Sequence, residues 1–217
     1  MLDYWKDFHS SNHPSLQYSN SVFKSKLNMG GVMDRHPQIL NRQQTALLVV
    51  DVQQRIKAVM MDPEMVVKNI VKLIKGSQIL QVPIFITEQY PQGLGPTEPA
   101  ILEALEGLTP VQKMTFSCCG AAGLVEKLKN QNIKQVVVTG IESHVCVLQT
   151  ALDLLANGFQ VHVPRDAVCS RKSVDYETAL LRMAHAGVII TTVEAVLFEL
   201  MEKAGTPEFK EVSRLIK

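Results

Sequence analysis

Three side chains with reactive chemistry sit at comparable places in this sequence. Cys146, Asp51 and Lys113 each lie at or just past the end of an apolar, strand-like run. Cys146 follows Val136-Val137-Val138-Thr139-Gly140-Ile141-Glu142-Ser143-His144-Val145, which reads as a buried strand, a tight turn and the start of a helix. A thiol in the first helical turn feels the partial positive charge of unsatisfied N–H groups, which favours thiolate. Thiolate is the form that attacks carbonyl carbon. In open parallel sheets the ligand crevice lies outside the carboxyl ends of the strands. An acid, a cation and a thiol on that rim can serve as base, electrostatic partner and nucleophile.

Each residue also has a plainer reading. Asp51 could cap a helix beginning near Val52, since aspartate is common at strand-to-helix turns. Lys113 could be a solvated surface lysine. Cys146 could be a small buried hydrophobe, the usual fate of a free cysteine. Helical spacing argues against that last reading. Gln149, Thr150 and Asp153 form a polar row beneath Cys146, whereas Leu148, Ala151, Leu154 and Leu155 supply the apolar stripe. Cys118 and Cys119 are read as packing residues near a helix start, Cys169 as part of a structural turn, and His162 as structural. No His/Cys/Asp cluster has metal-ligand spacing, and no Gly-rich phosphate loop follows the first strand. No metal or cofactor is expected on these grounds.

The elements that must position these residues alternate regularly. Strands are expected at 45–51, 83–87, 109–114, 134–139, 160–163 and 188–191. Helices are expected from about 52 to 81, with Asp62-Pro63 opening the second part, and at 98–106, 120–130, 144–157, 173–186 and 193–203. Thr206-Pro207 starts a final helix. Strands alternating with helices of this length imply parallel pairing and right-handed crossovers, hence an α/β domain of three layers. Residues 1–40, rich in Ser, Asn and His and without periodicity, read as a poorly structured N-terminal extension to a domain at 41–217.

Composition bounds the partners. At 217 residues the chain fits one ordinary domain with room for extra segments. The formal net charge of +1 disfavours a nucleic-acid surface. No apolar run approaches the roughly 20 residues of a membrane span. Four cysteines, no secretory leader and an adjacent Cys118-Cys119 pair point to reduced thiols in a cytosol-like compartment. A mitochondrial location is the alternative, although Asp3 and Asp7 suit a transit peptide poorly.

From about residue 40 onward the chain resembles the isochorismatase-like cysteine hydrolase superfamily, and most of all its isochorismatase domain-containing branch. The matching stretches are Leu48-Val49-Val50-Asp51-Val52-Gln53, Thr87-Glu88-Gln89-Tyr90-Pro91-Gln92-Gly93-Leu94-Gly95, Lys113-Met114-Thr115-Phe116-Ser117 and Gly140-Ile141-Glu142-Ser143-His144-Val145-Cys146-Val147, with Gln149-Thr150-Ala151 and Phe209-Lys210-Glu211 beyond. The resemblance implies a Rossmann-like fold with a six-stranded parallel sheet and an Asp-Lys-Cys triad. Asp51 would be the general base, Lys113 its counter-charge, and Cys146 the nucleophile that forms an acyl-enzyme. It further implies a cis peptide at Ile141-Glu142, aiming the N–H groups of Glu142 and Cys146 into an oxyanion hole. Gln53, Gln89, Tyr90, Phe116 and His144 would line a small substrate pocket, and the protein would assemble as a homodimer or homotetramer. The family's zinc-dependent nicotinamidases carry an Asp-x-His site beyond the second strand. Here that region, Glu88-Gln89-Tyr90-Pro91-Gln92-Gly93, holds no histidine. The expectation is a metal-independent cysteine hydrolase of small amides or related acyl compounds. The alternatives are a protein-interaction module on a hydrolase scaffold and a redox-sensing thiol.

Overall fold

Every residue of the run Thr45–Val50 is buried, as a strand covered on both faces requires. A computed structural model describes residues 35–217, and this strand, β1, stands at the middle of its sheet. After it come α1 (Gln54–Lys57), α2 (Pro63–Ile79), β2 (Ile84–Gln89), α3 (Pro91–Leu94), α4 (Pro99–Ala104) and β3 (Val111–Lys113). The second half contains α5 (Leu124–Asn130), β4 (Gln135–Ile141), α6 (Leu148–Ala156), β5 (Gln160–Pro164), β6 (Val168–Cys169), α7 (Ser173–His185), β7 (Ile189–Thr191), α8 (Val193–Met201) and α9 (Pro207–Ile216). The sheet runs β3-β2-β1-β4-β5-β7, and all its pairings are parallel.

The six expected strands are all present. A short seventh, β6, was not expected. Where β5 stops pairing with β4 at Val137↔His162, the chain makes a 3-10 turn at Arg165–Ala167. It then pairs again through Gly140↔Val168 and Ile141↔Cys169. Cys169, expected in a structural turn, is therefore a buried strand residue.

Side chains alternate along β1 between two cores. Leu47 and Val49 pack with residues of α2, α8 and α9, while Ala46, Leu48 and Val50 pack with residues of α5, α6 and α7. This is the three-layer arrangement read from the sequence. The boundary set at residue 40 shifts. Leu40 is completely buried, its N–H donates to Glu199, and Arg35 reaches the carbonyls of Leu40 and Glu199. Residues 35–40 therefore belong with the domain, and the rest of the expected extension lies outside the described residues.

The order in which strands are added reverses about β1: from β1 they proceed one way to β2 and β3, and from β4 the other way to β5 and β7. Crevices in such sheets open at this switch, beyond the carboxyl ends of β1 and β4. Gly140 makes the approach of those two ends possible. Its φ is 117°, and an added Cβ would lie 2.0 Å from the Val50 carbonyl oxygen.

Candidate active site

Asp51 leaves β1 with a φ of 51°, a left-handed conformation that Asp tolerates better than most residues. Its N–H donates to the Thr87 carbonyl, and its own carbonyl accepts from Gln53 N–H. The capping alternative is not what forms: α1 begins after Gln53 and has no side-chain cap. The carboxylate turns inward instead. Lys113, at the end of β3, reaches it with Nζ 2.5 Å from Oδ2, and both side chains are almost completely buried. The surface reading of Lys113 is thereby replaced.

Lys113 is surrounded by acceptors. Besides Asp51, Nζ lies 2.8 Å from Gln89 Oε1, 3.1 Å from the Thr115 carbonyl and 3.0 Å from the Phe116 carbonyl. An ammonium has three protons. All are committed within the protein, so Lys113 can hold charge and geometry but has no proton free for a ligand.

Cys146 lies near the same carboxylate, and the Asp51 charge acts on its thiol. Two sequence expectations need correction here. The thiol does not stand off the core: it is 6% exposed and packs with Val147, Leu148, Ala151 and Leu154. Nor does its surrounding favour free thiolate. Burial, and then the Asp51 charge, push the Cys146 thiol well above its ordinary value, with Lys113 only partly opposing them. The reason is local geometry. Ser143–Val147 forms a single π-helical turn ahead of α6, so Cys146 meets the protein interior before it meets a helix end. Asp51 is likewise raised by burial, opposed by Lys113 and by the Thr87 hydroxyl.

The remaining expected residues divide. Gln89 joins the cluster through Lys113 and also donates from Nε2 to the Met114 carbonyl at 2.9 Å. Gln53 does not line a pocket with a free amide. Its Nε2 serves the Gln89 and Gly95 carbonyls, its Oε1 takes the Gln89 N–H, and it is fully buried. It pins the loop after β2. Tyr90 and Phe116 are 46% and 53% exposed, while His144 is half-buried with Nδ1 3.0 Å from Ser170 Oγ. The Ile141-Glu142 peptide is cis. Its Glu142 carboxylate, itself buried, accepts from Arg171 Nε at 2.9 Å.

Two residues at the centre were not singled out as functional. Thr87 donates from Oγ1 to Asp51 Oδ1 at 2.8 Å, and Cys118 Sγ lies 3.4 Å from that same Thr87 oxygen. The available signal was a lone hydroxyl closing the apolar strand run Ile84-Phe85-Ile86-Thr87. For Cys118 the chain offered no signal distinguishing it from Cys119.

Residues 45–195 match the Isochorismatase domain family, a span that takes in Asp51, Lys113 and Cys146. The chain belongs to this family. Its isochorismatase domain relatives include the human isochorismatase domain-containing protein 2, 39% identical over 174 residues, covering 80% of this chain and 83% of that protein. Mouse isochorismatase domain-containing protein 2A is 38% identical over 176 residues, covering 81% and 84%. Among solved structures, the MAR1 ribonuclease of Caenorhabditis elegans superposes with a TM-score of 0.77 at 40% identity, covering 82% of this chain and 91% of that one. The Escherichia coli YcaC gene product, an octameric hydrolase of unknown specificity, shares the isochorismatase-type fold at a TM-score of 0.73 and 23% identity, covering 79% and 85%.

Proposed function

We propose that this isochorismatase-family chain is a cysteine hydrolase that cleaves a small C–N amide, or a related acyl compound, through a thioester. The observation that carries this is the meeting of the Asp51 carboxylate, the Lys113 ammonium and the Cys146 thiol at the β1/β4 switch. An ion pair is not placed beside a thiol for stability alone, because burying charge costs several kcal/mol per ion before any compensation.

The raised thiol sets the order of proton movement. Cys146 rests as S–H, so its proton passes to Asp51 as sulfur attacks the carbonyl carbon, rather than before. Asp51, now protonated, gives that proton to the leaving amine as the C–N bond breaks. Asp51 then takes a proton from water, which attacks the thioester, and returns that proton to the departing Cys146 sulfur as the acid and free thiol are released. Lys113 keeps its contact with Asp51 and serves as counter-charge to whichever anion is present. The N–H groups of Glu142 and Cys146 are assigned to the developing oxyanion. Tyr90 and Phe116 form the mouth for a small uncharged substrate, with Gln89 and His144 deeper and Gln53 supporting from behind. The protein is read as a homodimer or homotetramer, an assembly in keeping with the octamer of YcaC.

The test is turnover across a panel of small amides, with Cys146→Ala as control. Loss of at least about 10³-fold is expected, and unchanged turnover would sink the mechanism. The C. elegans neighbour's name makes RNA cleavage the second reading, so an RNA substrate belongs in the same assay. The net charge of +1 gives little general attraction for a phosphate backbone. Catalytic silence on every substrate would leave the interaction-module reading.

A further inference from the structure

The Asp51 carboxylate is held from two sides, and the triad accounts for one. Lys113 takes Oδ2. On the other oxygen stands a second pair, Thr87 Oγ1 at 2.8 Å from Oδ1 and Cys118 Sγ at 3.4 Å from Thr87 Oγ1. Thr87 and Cys118 are both completely buried. Counting protons fixes the direction of this chain. An ionised carboxylate only accepts, so the one hydroxyl proton of Thr87 goes to Oδ1. Thr87 then has only lone pairs to offer Cys118, and the thiol must donate.

The surroundings keep it in that role. Burial pushes the Cys118 thiol up to about 11, so it retains its proton through neutral pH. Its backbone N–H donates to Thr150 Oγ1 at 2.9 Å. Thr150 lies on α6, the helix that follows the Cys146 turn. The relay therefore ties β2, the 3-10 turn at Cys118–Gly120 and α6 to one carboxylate oxygen.

We propose that Thr87 is a positioning residue for Asp51 and that Cys118 is the donor that orients the Thr87 hydroxyl. Together they fix the carboxylate plane so that its remaining lone pairs meet the Cys146 thiol. This rests on the reading of Asp51 as the base for Cys146. A fixed hydroxyl donor also favours the ionised carboxylate, so losing it weakens the base in mild acid.

The experiment is the pH profile of Cys146 alkylation by iodoacetamide, read peptide by peptide by mass spectrometry in full-length protein. The wild-type rate should fall on the acid side as Asp51 takes up a proton. Thr87→Val should move that fall upward by about one pH unit, a tenfold change in the ionised-to-protonated ratio, and Thr87→Ser should restore it. Cys118→Ser keeps a donor and should overlay the wild type, whereas Cys118→Ala should shift the same way as Thr87→Val by less. A Thr87→Val profile that overlays the wild type overturns the proposal. If Thr87→Val does not fold, Cys118→Ala decides: no shift overturns it. An Asp51→Asn protein that keeps the wild-type acid limb would instead refute Asp51 as base, which separates the two failures.

Discussion

Lys113 illustrates how much a single side chain can determine. Its ammonium faces four oxygens with three protons, and the one charged partner among them is Asp51. Lys113→Met should therefore abolish turnover and also cost about 3–5 kcal/mol in denaturant unfolding, because the carboxylate is left buried without a counter-charge. Adding Asp51→Asn should recover much of that stability while activity stays absent, a non-additivity that a double-mutant cycle would read. His162 provides a separate prediction. Burial lowers its imidazole to about 4, below the ordinary 6.5, and its Nδ1 has no hydrogen-bond partner among the described residues. Because its folded value is depressed, the stabilising contribution is complete above pH 6.5 and is lost as pH falls toward 4. By pH 4 the loss approaches about 3 kcal/mol. His162→Gln should flatten melting temperature against pH across that window. At this scale the sequence revealed the positions of Asp51, Lys113 and Cys146, because strand ends are marked by where apolar runs stop. It could not reveal the partners. Thr87 and Asp51 are 36 residues apart, and Lys113 and Asp51 are 62 apart. No local pattern encodes such pairings.

Among the elements, the β4-to-α6 connection does the positioning. Gly140 lets the β4 end lie against Val50, the cis peptide follows at Ile141-Glu142, and the π-helical turn then carries Cys146 inward. Gly140→Ala should destabilise the fold by at least about 2 kcal/mol, since its φ and the backbone contact both exclude a Cβ. Calorimetry would measure this, and a fall in Cys146 alkylation should accompany it. Helical periodicity predicted one helix over 144–157 here. Leu148, Ala151 and Leu154 are buried and Gln149 and Asp153 exposed, as the pattern requires, but Thr150, expected in the polar row, is completely buried and Leu155, expected in the apolar stripe, is half-buried. The π-turn escaped because one extra residue per turn rotates the helix start without altering the pattern downstream. Cys146, inside that turn, lies in the core, and Thr150 on α6 accepts a buried hydrogen bond from the Cys118 N–H.

For the whole molecule, strand and helix order was legible from alternating patterns, while the order β3-β2-β1-β4-β5-β7 was not, because neighbours in space are set by crossovers rather than by adjacency in the chain. The homodimer or homotetramer reading predicts that light scattering will give two or four times 24.1 kDa, and a particle of 24.1 kDa would overturn it. The sheet's own margins bear on how such copies could meet. Both edge strands, β3 and β7, are three residues long, whereas the central β1 and β4 have six and seven. A neighbouring chain that tried to extend the sheet would find too few rungs to hold a register, and one of them is the buried Lys113. Short margins of this kind are a defence against cross-β growth. They favour assembly through helical faces or loops over sheet extension, so that each sheet ends within its own subunit.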